Sequence, residues 1–299
     1  MRPYASPAAF RAAIDARLRA HAGRVGVPVM VVRRQAALER LMVRLMKVTP
    51  GRWALKGGLA LDTRLGARAR SSMDMDLDHE QGAAAAHEDL ERAVAEDLGD
   101  HFGFVITGRR EIQEGGIRLA ERYRIECTVG GPLFETLQVD VTVTAPAQWD
   151  VEPAQRPGLL ADVGLGPIDV LLVPLERQIA EKLHAYTRPY DGGSTRVKDL
   201  VDFVVIRLLE RVDAERLRIA IEETFTRRGT HEAPRRLPPP PADWSVAYRG
   251  EAEAVSITTD LKEAHTLAAE WLDPVLDGTA LGTWDPERKA WSGEVGGAR

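Results

Sequence analysis

Three carboxylates occupy alternate positions in Ser72-Met73-Asp74-Met75-Asp76-Leu77-Asp78. If the segment is extended, the side-chain period of two puts Asp74, Asp76 and Asp78 on one face and Met73, Met75 and Leu77 on the other. Same-face neighbours stand roughly 6.6 Å apart along a strand, so two of them can share hard cations ~3.5 to 4 Å from each other. Two Mg²⁺ ions would fit such a face, one activating an attacking hydroxyl and one holding a triphosphate. A solvated edge strand with alternating charge satisfies the same pattern. An EF-hand does not: counted from Asp74, the sixth and twelfth positions are His79 and Ala85, where a calcium loop needs Gly and Glu.

Four further groups could serve such a centre. Lys56-Gly57-Gly58-Leu59-Ala60-Leu61 lies between a predicted strand and helix, where bare backbone can approach phosphates and a helix N-terminus favours anions. It is neither a Walker A sequence nor a Rossmann fingerprint, and an ordinary turn needs the same glycines. Asp140, in Gln138-Val139-Asp140-Val141-Thr142, shares a face with Gln138 and Thr142 and is a candidate third metal ligand, or one residue of a polar outer sheet face. By helical angle Lys182 falls among Leu175, Ile179 and Tyr186, an apolar setting that a lysine leaves by snorkelling unless an anion such as a triphosphate holds it. Asp199 and Asp202 form an i,i+3 pair off the apolar stripe of their helix, and spacing alone favours a surface charge cluster.

The elements that must position these groups follow from periodicity. Helices are predicted over Pro7 to Ala22 and Val31 to Lys47. A short strand over Trp53 to Leu55, the glycine turn, and a helix from Leu59 to Leu65 come next. The acidic strand, a helix over Glu88 to Leu98, and strands near Phe102 to Thr107, Ile117 to Val129 and Phe134 to Thr144 complete a mixed, largely antiparallel sheet with helices beside it. After Pro167 one brief strand, Ile168 to Val173, leads into helices at Leu175 to Tyr186, Val197 to Leu209 and Ala214 to Arg227. The expected fold is therefore α+β, with an α/β domain over 1–166 that includes the N-terminal helices and a mainly helical domain over 167–299. The stiff tetraproline Pro238 to Pro241 sets off a last helical region, Asp260 to Leu272, and the tail after Trp291 is expected to be mobile.

Composition bounds the rest. At 299 residues, 44% apolar and 28% charged, the chain can bury a large core. No stretch approaches the ~20 apolar residues of a membrane span, and the N-terminus has no secretory h-region, so a cytoplasmic protein is expected. The single cysteine, Cys127, sits in a strand-like alternation and suits a buried small hydrophobe. The net charge of -5 hides a polarity: residues 1–70 carry 15 Lys/Arg against 3 Asp/Glu, a balance of +12 that leaves -17 for the remainder. Such a basic segment can meet a polyanion, and Arg33, Arg34, Arg40 and Arg44, flanking one apolar helix face, are the candidate contacts to its phosphates; solvated helix arginines read the same way.

Taken together, Lys56 to Leu61, Arg70 to Leu77, Glu181 to Ala185 and Arg196 to Asp202 resemble the AbiEii/AbiGii family of nucleotidyltransferase toxins, which includes the MenT toxins. The resemblance implies a DNA polymerase β-like nucleotidyltransferase domain with a helical C-terminal domain. It also implies Mg²⁺ dependence and transfer of a nucleotide from an NTP onto RNA. In the MenT branch the acceptor is the tRNA 3′ end, which blocks aminoacylation and hence translation, and a cognate antitoxin protein relieves the arrest. Carried over by motif, Asp74 and Asp76 bind metal, Gly57 and Gly58 form the phosphate turn with Lys56, Arg70 and Ser72 nearby, and Lys182 and Asp199 complete the active site. Leu59 departs from the pattern, since many relatives place Thr there. Residues 1–30 and 235–299 carry no correspondence. Two other readings fit the same residues: nucleotide transfer to a small molecule or a protein hydroxyl, and a catalytically silent RNA-binding or complex-forming protein.

Overall fold

The computed structural model describes residues 6–70, 72–114, 117–142, 149–190, 194 and 196–293. The tail 294–299, Ser71 and the end of the strand expected to reach Thr144 lie outside these residues. The chain divides into two compact units, Met1–Arg64 with Ser71–Val173, and Leu65–Arg70 with Pro174–Arg299.

The first unit opens with α1 (Pro7–Val25) and α2 (Val29–Val48). Ser6 caps α1 by accepting from the Ala9 N–H, Pro7 sits in the first turn, and Gly26 ends the helix in the left-handed conformation. Phe10, Ile14, Leu18 and Ala22 form its buried stripe at i,i+4 spacing. β1 (Trp53–Lys56) runs directly into α3 (Gly57–Leu65), and β2 (Met75–His79) into α4 (Ala83–Ala95). The remaining strands are β3 (Phe102–Glu114), β4 (Ile117–Val129), β5 (Leu133–Thr142), β6 (Glu152–Arg156) and β7 (Ile168–Leu172).

These make one mixed sheet in the order β3-β4-β5-β2-β1-β7-β6. β2 pairs antiparallel with β1 and parallel with β5, and β1 pairs parallel with β7. One face is apolar: Leu55, Met75, Leu77, Tyr123, Ile125, Cys127, Val139 and Val141 are buried in a core shared with Phe10, Leu41, Leu45 and Leu90 of the helices. Cys127 is a free buried thiol whose pKa burial pushes up, as its strand alternation suggests. The units part at 173/174 rather than 166/167 because β7, expected with the helices, pairs with β1 and β6 inside this sheet.

The second unit holds α5 (Leu175–Thr187), α6 (Val197–Leu209), α7 (Ala214–Arg228), α8 (Ser245–Ala254) and α9 (Leu261–Leu276). A three-stranded sheet of β8 (Val212–Asp213), β9 (Thr283–Asp285) and β10 (Ala290–Trp291), unanticipated from sequence, closes it. Trp271, Trp284 and Trp291 pack together there, with the Trp284 Nε1 donating to the Arg207 carbonyl at 2.8 Å. The tetraproline is no free spacer, since Tyr186 Oη donates to the Pro238 carbonyl at 3.0 Å. No helix among the described residues is long and apolar enough to cross a membrane.

Candidate active site

The polar face of the large sheet carries a row of charge defined by strand register. Arg110 of β3 pairs with Arg122 of β4, Arg122 with Asp140 of β5, Asp140 with Asp76 of β2, and Asp76 with Lys56 of β1. The alternation that sends Tyr123, Val139, Met75 and Leu77 into the core sends these charges to the opposite face. Asp74 precedes β2 by one residue, and the Ser72 hydroxyl donates to its carbonyl at 3.2 Å. Ser72 thus braces the backbone carrying Asp74. Asp78, the third carboxylate of the alternation, is buried to 1% exposure and pairs with Lys56 Nζ at 3.3 Å, so it steadies the β1–β2 end and stands apart from a solvent-open ligand set.

Gly57 explains itself at this point. Its φ is +62°, and a Cβ added there would stand 2.2 Å from Asp76 Oδ2. The Asp76 carboxylate therefore lies directly over the bare backbone of the turn that starts α3, which is the arrangement that brings a phosphate on that turn next to the carboxylate. Gly58 is buried in the first turn of the same helix.

Arg122 grips Asp140 with two parallel hydrogen bonds, Nε to Oδ1 at 2.7 Å and Nη2 to Oδ2 at 2.6 Å. Those bonds, with the charges of Asp140, Asp74 and Asp76 behind them, push the guanidinium pKa up against its partial burial. All three carboxylates thus share one electrostatic neighbourhood. Asp140, expected as a third metal ligand, accepts one hydrogen bond from Arg122 on each oxygen. Among the described residues no group of three His, Cys, Asp or Glu side chains is poised around a cation position. Asp74 and Asp76 nevertheless fit Mg²⁺, an oxygen-seeking ion that proteins usually hold by one or two carboxylates together with waters and substrate phosphates, not in an all-protein cage.

The second unit buries the other set. Lys182 Nζ lies 2.5 Å from Asp202 Oδ2 and 3.3 Å from Asp199 Oδ1, and Arg70 reaches both Asp202 oxygens at 3.0 Å. Burial alone would raise the Asp202 carboxyl, but Lys182 and Arg70 reverse it and hold it below the usual carboxylate range. At Asp199 burial wins over Lys182 and the pKa rises. Asp199 and Asp202, expected as a surface cluster by their helical angle, are 7% and 3% exposed, and Lys182 is 9% exposed without snorkelling. Arg70, expected among nucleotide contacts, is chelated by Asp202 within this unit.

The helix arginines also depart from expectation. Arg44 is fully buried, donating to Asp100 Oδ1 at 2.7 Å and to the Phe102 carbonyl at 2.8 Å, and Arg40 pairs with Asp100 at 2.7 Å. Both are internal braces with no guanidinium left for RNA. Arg33 donates to the Phe134 carbonyl at 2.9 Å and Arg34 pairs with Glu135 at 3.5 Å. Sequence reading missed Arg110, Arg122 and Arg124; the period-two placement of Arg122 and Arg124 around Tyr123 is the signal that points to them.

The fold is shared with a toxin of known structure. The chain matches the solved structure of MenT4, nucleotidyltransferase toxin Rv2826c from Mycobacterium tuberculosis H37Rv, over 94% of each chain, at 18% identity and a TM-score of 0.59. A candidate nucleotidyltransferase from H. pylori, matched over 84% of this chain and 98% of its own at 16% identity and a TM-score of 0.45, is too distant to carry weight. Direct comparison with curated protein sequences gives no match. Residues 40–271 match the family model described as Nucleotidyl transferase AbiEii toxin, Type IV TA system, and the chain belongs to that family.

Proposed function

We propose that this toxin transfers a nucleoside monophosphate from an NTP to the 3′ end of RNA, a tRNA acceptor end above all, with a cognate antitoxin protein opposing it. The observation that carries the reading is the Asp76 carboxylate lying over Gly57 at the start of α3, with Asp74 two residues away. Bound Mg²⁺, held by Asp74 and Asp76, would acidify the acceptor hydroxyl and neutralise the triphosphate. The acceptor 3′-hydroxyl gives its proton to solvent, its oxygen forms a bond to the α-phosphorus, the bond from that phosphorus to the bridging oxygen breaks, and pyrophosphate leaves with that electron pair. The Gly57-Gly58 backbone N–H groups, at the positive end of α3, orient the triphosphate. Lys56, paired with Asp78, fixes the end of β1 from which that turn departs. A single-stranded 3′ end enters such a centre without unpairing a duplex. Lys182 and Asp199 have a structural part in this proposal, as the ion-paired core of the second unit.

Incubating the protein with total RNA, Mg²⁺ and each labelled NTP in turn tests the reading. Label on the RNA 3′ end is expected, lost in Asp74→Asn and Asp76→Asn without loss of thermal stability, because an amide cannot replace a charged oxygen ligand. Near wild-type transfer by either variant sinks the metal assignment. Label confined to a small molecule or protein sinks the RNA acceptor.

A further inference from the structure

A groove of about 560 Å³ runs over β3, β4 and β5 and contains Asp74. Its charged lining is Arg34, Arg109, Arg110, Arg122 and Arg124, with Asp74 the single acid. Three of these guanidinia are balanced, Arg34 by Glu135, Arg109 by Glu121 and Arg122 by Asp140. Arg110 and Arg124 are exposed and make no ion pair among the described residues. Arg110 stands directly opposite Arg122 in register, and since Asp140 is taken up by Arg122, the Arg110 charge beside it is left to solvent or to an arriving anion. Charge on an edge strand such as β3 guards against strand addition, but Arg124 lies on β4, an interior strand, where that explanation does not reach.

Sheet order separates two places for phosphate. The Gly57 turn leaves β1 on one side of Asp76, and on the other side, beyond Asp140 of β5, the arginines of β4 and β3 follow. We propose that the groove is the acceptor track, in which Arg110 and Arg124 contact backbone phosphates of a single-stranded RNA whose 3′ end lies at Asp74. The inference rests on the RNA-transfer reading above and moves the RNA contacts from α2 to the polar sheet face.

The test uses the full-length protein and a fluorescein-labelled twelve-nucleotide single-stranded RNA, with affinity measured from low to moderate salt. Arg110→Gln/Arg124→Gln should weaken binding at least tenfold at low salt. It should also flatten the log-log salt slope by about 1.4, since a single-stranded contact contributes ~0.7. Melting temperature and NTP affinity should stay at wild-type values, and Arg110→Lys/Arg124→Lys should restore most of the slope. An unchanged RNA affinity and slope overturns the track, as does a variant that loses NTP affinity while its RNA slope is intact. If wild-type enzyme labels RNA yet the double Gln variant binds it normally, this inference alone fails. If wild-type enzyme labels no RNA, the transfer reading fails and takes the track with it.

Discussion

Gly57→Ala adds one methyl group where the turn after β1 meets the Asp76 carboxylate. Two consequences follow from its geometry. The backbone stands at φ +62°, which costs an alanine about 1 to 2 kcal/mol and should lower the melting temperature by about 2 to 8 °C for a unit of this size. The new Cβ would stand 2.2 Å from Asp76 Oδ2, so the carboxylate must retreat by about 1 Å to regain van der Waals contact. A displacement of that size at a reacting centre can reduce turnover about 100-fold. Gly51→Ala provides the control, because Gly51 has φ +84° with nothing within 4 Å of its would-be Cβ. Thermal melting and single-turnover nucleotide transfer should find both variants destabilised and only Gly57→Ala slowed in transfer, by about 100-fold. Equal transfer by the two variants would refute the placement of Asp76 over the phosphate turn as the basis of catalysis.

Arg44→Met should destabilise the first unit, by less than the ~3 to 5 kcal/mol of a wholly orphaned buried charge because Arg40 still pairs with Asp100; denaturant unfolding checks this, and RNA affinity per folded molecule should not move. Lys182→Met should be destabilising by about 3 to 5 kcal/mol because Asp199 loses its ion-pair partner and Asp202 keeps only Arg70, whereas Lys182→Met/Asp199→Leu should recover part of the loss. A Lys182→Met protein as stable as wild type but unable to transfer would show that Lys182 acts on substrate. Burial, with His231 and nearby arginines adding to it, lowers the His184 pKa to about 4. The folded state thus holds this imidazole neutral, and its contribution to stability is present above the ordinary value of 6.5 and lost as pH falls from there toward about 4. Unfolding midpoints at pH 7.5 and 4.5 should differ less in His184→Gln than in wild type.

Helices were the most legible elements, because i,i+4 stripes such as Phe10, Ile14, Leu18 and Ala22 in α1 depend on no distant partner. The Asp74 and Asp76 alternation and the Gly57 turn were legible for the same reason: strand period and glycine chemistry are local. Partnership across the sequence was not. Arg44 looks like a solvated flank of α2 until Asp100, 56 residues on, is found beside it. Asp202 lies off its helix's apolar stripe, yet Lys182 and Arg70 make a buried position tenable. Pairing hid the rest. Glu152 to Arg156 shows no apolar alternation, since β6 is an edge strand with only Arg156 buried. Arg122 and Asp140 each read as surface residues until register set them side by side.

The segment Leu65–Arg70 belongs to the second unit although first-unit sequence lies on both sides of it. Arg70 and Asp202, joined by two hydrogen bonds, are 132 residues apart. At synthesis rates of about 5 to 20 residues per second, Arg70 is joined to the chain roughly 7 to 26 seconds before its carboxylate exists. The second unit therefore completes itself with a strip of chain made long before the rest of it. A fragment beginning at Pro174 would keep Lys182 beside Asp202 but lose Arg70, so cutting the toxin at its compact boundary would strip this buried carboxylate of one of its two counter-charges.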